Sequence, residues 1–596
     1  MIGATVLALW PVCAHNFTTW DDNFNVSQNP YLNPVTGSGV AHFWTTPHMA
    51  LYIPITYTVW GALAAVARMD APTAQGIWLN ASTFHTANLI VHVIAVLFAY
   101  QLLLALVRRR WPACAGALLF ALHPVQVESV AWVAGMKDVL CGALSLLALW
   151  QYVRFAQLDA ACDQDAPSRR QWIHYGIATL AFTLALFAKP SAMTLPLVAA
   201  TIDWLLIRRS WRRIGAALLP WLALAAACGV VAHAVQPVAA PLDGGRVWAR
   251  PFLAGAALAF YLYKLVAPVW LAIQYHYSPQ VLLAGRWIWF AWTIPAAVAV
   301  GVIVAGRRWR WLAAGAAIFV LATLPVLGLV AFQFERLSLT ADHYLYFAMI
   351  GPAMILAFAL GAMPRQWVKA AVPVCAAVFV LLGVRSMLQA FTWQDSRTLF
   401  EHELAVNPHS ETASNNLALL ALTDNHPQEA ESLARQSIAA QPDQGEAYNT
   451  LAIALLRQGR PDEAMVNYRK AIKNDPNQAA ALASLGGMIA QSSQKKNLPA
   501  DERAALLSEA EQLCRRAVDV DPTFVNARLN LAQILTTEGR IPDAMPEAEA
   551  AVRMNPTNPN AQGFLGMLLV RSGRQAEGMD HLREAQRLSG HAPPPR

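Results

Sequence analysis

Charge is scarce in this chain. Only 14% of its 596 residues are Asp, Glu, Lys or Arg, while 56% are hydrophobic. Soluble domains carry about a quarter charged residues, so a wholly aqueous protein is excluded and much of the chain must sit in lipid. Cysteine is scarcer still. The seven present show no C-x-x-C spacing, and Cys114, Cys141, Cys228 and Cys375 lie in apolar runs. That excludes a disulfide framework or a zinc site and leaves small core residues. Acidic residues are outnumbered, for a formal charge of +7. The basic excess falls in short clusters between apolar runs, at Arg108-Arg109-Arg110, Arg169-Arg170, 208–213 and 307–310. Loops kept on the cytoplasmic side of a membrane look like this, and nucleic acid is not an expected partner.

The composition changes at about residue 390. Before it, apolar runs alternate with the basic clusters, and many of the 21 tryptophans stand beside those clusters, as at membrane interfaces. After it the chain is mixed, charged and alanine-rich. The expected fold is all-α: a polytopic membrane domain over 1–390, a connector over 391–408 and a soluble helical domain over 409–596. Runs long enough to span, about 20 apolar residues, fall at 84–107, 138–157, 172–188, 190–207, 212–235, 288–306, 311–332, 345–363 and 367–388. The segment 113–131 is interrupted by His123, Pro124 and Glu128, and the opening run 1–14 is short. Placing every arginine cluster in the cytoplasm puts Asp21 and Asp22 outside. It predicts about eleven crossings, with the C-terminal domain outside as well. A crossing at 251–271 would put 307–310 on the wrong side, so that stretch is read as interfacial or half-inserted. The stretch 48–67, with Pro54 and its aromatics, is read as an interfacial helix.

Prolines at 408, 442, 476, 522 and 556, each after Asn, Gln or Asp, are spaced 34, 34, 46 and 34. Thirty-four residues is the period of the tetratricopeptide (TPR) helix pair. EAYNTLAIALLRQGRPDEAMVNYRKAIKNDP places small residues (Ala452, Ala464, Ala471) where paired helices approach, and Pro476 ends the second helix. About five repeats, with an insertion near 491–502, predict a solenoid whose concave face holds a partner or an extended peptide. Tyr448 and Asn449 are its candidate binding residues. A passive spacer is the plainer alternative.

Several stretches, in order, resemble the transmembrane-and-TPR members of the GT-C glycosyltransferase superfamily, the group containing the TPR-bearing O-mannosyltransferases. They are WDDNFNVSQNP, FHTANLIVHVIAVLFAY, LLFALHPVQVESVAWVAGMKDVLCGALSLLALW, LALFAKPSAMTLPLVAATIDWLL, YLYKLVAPVWLAIQYHYSP, ADHYLYFAMIGP and WQDSRTLFEHELAVNP. One departure is His343, a position commonly held by arginine in such proteins. The resemblance implies a polyprenyl-phosphate sugar as donor and no certain cofactor beyond a divalent metal as an option. The repeats favour a protein or peptide hydroxyl as acceptor, the alternative being a glycan or lipid acceptor with the repeats recruiting a partner enzyme. The transferred sugar is not specified.

Such a transfer needs a base within reach of the acceptor hydroxyl and cationic or hydrogen-bonding groups on the departing phosphate. Asp21, the first acid of the family's loop motif, is the expected base. Asp22 orients the acceptor, holds the loop or assists a metal; a turn cap is the plain structural alternative for either carboxylate. Glu128, expensive within a span, is a candidate for binding sugar or acceptor. Lys137, Lys189, Arg336, His343 and Tyr344 are the candidate phosphate contacts. For Glu128, Lys137 and Asp138 the alternative is simple pairing at helix ends, and for Lys189 it is snorkelling. His276 is read as structural. His85 and His92 share a helix face but two histidines make no metal site. A scaffold recruiting envelope proteins and a transporter are the competing classes. A scaffold has no use for the acidic pair, and a transporter would show charges across several spans in repeated halves. The short-looped, alanine-rich sequence leans bacterial, making the expected location the inner membrane with the TPR domain in the periplasm.

Overall fold

The computed structural model describes residues 1–73, 76–161, 168–235, 247–494 and 498–589, which are helical with no β-strand among them. They form two compact units, residues 1–408 and 409–596.

In the first unit seven described helices are long and apolar enough to cross a membrane: Ala81–Val107, Val133–Ala161, Arg169–Ala188, Pro190–Ile207, Trp211–Val235, Ile288–Gly306 and Arg365–Phe391. Arg110–Leu122 and Pro124–Ala131, bent by 54°, make an eighth if they act as one span. Ile2–Ala14, Arg310–Val326 and Ile350–Ala362 are apolar but shorter, so length and composition do not by themselves give eleven crossings. The 54° bend has a local cause. Pro124 has no amide to continue the helix, and His123 closes the break, its Nε2 donating to the Leu265 carbonyl at 3.1 Å and its Nδ1 accepting from Val125 N at 3.4 Å. Arg310–Thr323 and Ile350–Ala362 cross at Gly315 and Gly351, where a Cβ on either would stand within 2.8 Å of the other's carbonyl oxygen. Small residues at such crossings are how helices approach in lipid.

Pro54–Ala67 begins and ends on one side. Thr56 Oγ1 donates to the Ala188 carbonyl at 2.9 Å, and Asn80 N donates to the Ala67 carbonyl at 2.8 Å. Ala188 and Asn80 stand at the ends of their helices remote from the arginine clusters. Arg250–Val266 behaves alike. Arg250 grips Glu335 in a fork of 2.7 and 3.0 Å and donates to the Gly328 carbonyl at 3.0 Å, while Leu265 meets His123. On the opposite side, Arg209 is no free loop cation. It lies buried against Asp203, Tyr152 and Asp159, joining three helix ends. The segment 391–408 is likewise more than a connector. It contains the helix Ser396–Val406, capped by Asp395 and packed into the first unit by buried Phe400. Thr19 N bonds to Ser396 Oγ at 2.9 Å, and Asn16 N to the Gln394 carbonyl at 2.9 Å.

The second unit is five helix pairs, from Glu411–Thr423 and Pro427–Ala440 to Pro559–Arg571 and Gln575–Leu588. Ala452, Ala464 and Ala471 are fully buried between helices, with Tyr468 beside them. The third pair carries the insertion: its second helix, Ala500–Val520, has 21 residues, against 14 in the second helix of the other four. Residues 495–497 of that insertion lie outside the described ones.

Candidate functional site

Asp21 and Asp22 occupy opposite environments. Asp22 is fully buried. Its Oδ2 accepts from Thr18 N at 3.0 Å and Thr18 Oγ1 at 2.9 Å, and its Oδ1 from Ala134 N at 2.9 Å. Loss of hydration outweighs these three donors and pushes Asp22 up to about 7. It ties the loop to the start of the central helix. Asp21 is half-buried, and no hydrogen bond engages its carboxylate among the described residues. Its backbone is left-handed, with φ of 66°, a region that non-glycine residues enter at a cost.

Trp132 ties the next element to this loop. Its indole Nε1 donates to the Trp20 carbonyl at 2.7 Å, and its ring carries the Lys137 ammonium 4.4 Å from the centroid. Lys137 forms no ion pair or hydrogen bond among the described residues, and of the charges acting on it that of Asp21 is the largest. Beside it, Lys189 pairs with Asp138 at 2.5 Å and stands 5.6 Å from the Tyr344 ring. Asp138, Lys189, Ser191, His343 and Tyr344 line one cavity. Glu128 is buried and doubly held by His343, whose N and Nδ1 each lie 2.8 Å from one of its oxygens. Burial holds the His343 imidazole down to about 3. Next to it Asp342 accepts from Tyr275 OH at 2.9 Å.

The sequence-predicted residues thus gather unevenly. Asp21, Asp22, Glu128, Lys137, Lys189, His343 and Tyr344 form one neighbourhood. Asp22, Glu128 and Lys189 are already engaged by protein groups, whereas Asp21 and Lys137 are not. Of Arg336 only the backbone, in the turn Gln333–Arg336, is described. His85 Nε2 donates to the Asn16 carbonyl at 3.2 Å and His92 Nε2 to the Ala121 carbonyl at 3.2 Å, so both pin backbone. His276 is exposed. In the second unit, Tyr448 lies under the Lys470 ammonium, 5.6 Å from the ring centroid, and the Asn449 Oδ1 is buried without a hydrogen-bond partner among the described residues. Trp132, Thr18, Asn25 and Tyr57 escaped sequence reasoning. Trp132 precedes Lys137 by five residues across a helix break, so no periodicity links them. Among the described residues no three His, Cys, Asp or Glu side chains converge as metal ligands would.

Family comparison agrees with the repeats. Tetratricopeptide-repeat profiles match residues 415–479, 449–509 and 506–568. The chain is 27% identical over 186 residues to the protein O-mannosyl-transferase Tmtc2 of Drosophila melanogaster, covering 31% of this chain and 17% of that protein. It is 25% identical over 382 residues to the human protein O-mannosyl-transferase TMTC4, covering 54% of this chain and 50% of that one. The match therefore spans at most half the length of these curated relatives. The expected resemblance to the TPR-bearing O-mannosyltransferases is borne out by these relatives. Among solved structures, a thermophilic TPR protein of Thermus thermophilus matches with a TM-score of 0.27 and 17% identity, covering 30% of this chain and 92% of that one.

Proposed function

We propose that this multi-pass membrane protein is a glycosyltransferase that moves a sugar, mannose in the first instance, from a polyprenyl-phosphate donor to a hydroxyl of a protein or peptide. The observation that carries the reading is the pair formed by Asp21 and Lys137. Among the described residues one is a carboxylate that accepts no hydrogen bond and the other an ammonium in no ion pair, and Asp21 is the largest charge acting on Lys137. In the proposed step the acceptor oxygen attacks the anomeric carbon as its proton passes to Asp21. The bond between that carbon and the phosphate oxygen breaks, and the phosphate departs with the electron pair. Lys137 meets the charge that develops on it, held on the Trp132 face and in no ion pair among the described residues. Lys189 and Tyr344 line a cavity with Asp138 and His343 that neither Asp21 nor Lys137 lines, and the Asp138 partner leaves Lys189 a weaker source of net positive charge.

In this reading the arginine clusters are cytoplasmic, and the Asp21 loop and the TPR array face the periplasm of a bacterial inner membrane. The array presents the acceptor. Support comes from the O-mannosyl-transferase relatives and from the general capacity of stacked repeats to hold an extended chain. The test is transfer by the purified full chain from a panel of synthetic polyprenyl-phosphate sugars onto peptides, with and without divalent metals. Transfer from one sugar identifies the donor. No transfer and no donor binding across the panel contradicts the proposal and favours a membrane scaffold built around the repeats.

A further inference from the structure

The sequence offers no reason for an asparagine four residues after Asp21 or for a tyrosine in an apolar helix about thirty residues on, yet the fold joins them. The Asp21 carbonyl accepts twice from Asn25, from its backbone N at 2.9 Å and from its Nδ2 at 3.0 Å. The remaining amide oxygen of Asn25 accepts from Tyr57 OH at 2.6 Å. Both residues are buried. Tyr57 cannot follow a wandering loop. Its ring stacks on Phe43 at 4.0 Å and 7°, and meets Trp60 and His48 edge-on at 5.1 and 5.4 Å. On the other side of Asp21, Trp132 holds the Trp20 carbonyl. Both peptide units that set the left-handed φ of Asp21 are therefore anchored. The hydroxyl of Tyr57 gives its hydrogen to Asn25, although it lies close enough to feel the charge of Asp21, so the carboxylate keeps its acceptor capacity.

The geometry points to Tyr57, acting through Asn25, as a positioning residue that holds Asp21 left-handed with its carboxylate free. It gives the helix Pro54–Ala67, which does not cross, a purpose: it is the buttress of the acidic loop. The inference rests on the reading of Asp21 as base, and the experiment separates the two. In the full-length protein Tyr57→Phe should lower kcat about tenfold to hundredfold, the cost of a misplaced reacting group, with KM for the lipid-linked donor unchanged. Asn25→Ala should do the same, and the double variant should lose no more than Asn25→Ala alone, since both changes break one chain of contacts. In the Asp21→Asn background Tyr57→Phe should leave the residual rate unchanged, and hydrogen exchange at the Asn25 amide should quicken in Tyr57→Phe. Folded Tyr57→Phe and Asn25→Ala proteins with wild-type kcat, in a protein that Asp21→Asn inactivates, overturn the positioning role alone. Equal losses from Tyr57→Phe with and without Asp21 also overturn it. Wild-type kcat in Asp21→Asn overturns the base reading instead. If Tyr57→Phe does not fold, Asn25→Ala and its KM decide.

Discussion

Replacing Asp22 by Ala removes the acceptor of three buried donors at once, two on Thr18 and one on Ala134. A stranded buried donor costs about 1–3 kcal/mol, so with three left unpaired Asp22→Ala should lose about 3 kcal/mol or more, read as a lower unfolding temperature in detergent. The same carboxylate sets a pH dependence. Its folded value of about 7 lies above the ordinary value of 3.8. Between the two, the folded chain holds a proton that the unfolded chain has released, so stability falls as pH rises through this window. The unfolding temperature of wild type should decline between about pH 4 and 7, and that of Asp22→Asn should decline less. Asp21 behaves differently, because its strain is in the backbone. With φ at 66°, Asp21→Gly should be more stable than Asp21→Ala by about 1 kcal/mol, although both lose the carboxylate. At this scale the sequence was half legible. The adjacent carboxylates stood out, but their division of labour depends on Thr18, Ala134, Asn25 and Tyr57, and no spacing rule pairs residues 112 or 32 positions apart.

Helices tell their reasons more openly. The prolines at a period of 34 and the alanines before them marked the repeats in advance, since a solenoid repeats one packing problem and must repeat its solution. The same regularity extends to charges. Arg460, Arg540 and Arg574, each after a left-handed glycine, bind an acid three residues on and a glutamate of the preceding repeat. Close packing gives a direct test. A Cβ on Gly486 would stand 2.6 Å from Cys514 Sγ and 3.1 Å from the Ala510 carbonyl, so Gly486→Val overpacks the third pair. It should cost about 1–3 kcal/mol, visible as a lower urea midpoint of the solenoid's helical signal. In the membrane unit the legible part was apolar length. Helices that lie along one side, and the helix hidden in 391–408, were harder to read, because hydropathy reports what a segment tolerates and not which neighbours hold its ends. Pro54–Ala67 is apolar on average, but its course is set by Thr56 on Ala188 and Asn80 on Ala67.

Over the whole molecule, the scarcity of charge, the arginine clusters and the repeat period together outline a membrane unit followed by a TPR unit, and the two compact units observed have that composition. The proposed sidedness rests on the arginine clusters. In inside-out vesicles a cysteine at Arg109 should react with a membrane-impermeant maleimide, whereas one at Ser38 or Glu463 should react only from the opposite face. Chemistry is the least legible level, since a base is defined by what does not bind it. The central claim is that Asp21 alone takes the acceptor proton. Its most direct measurement is donor binding and sugar transfer by folded Asp21→Asn beside wild type, with the polyprenyl-phosphate sugar that wild type uses. The account predicts unchanged donor affinity and a transfer rate lower by about 10²–10⁴-fold, the range for loss of a general base. Wild-type transfer by Asp21→Asn would contradict it.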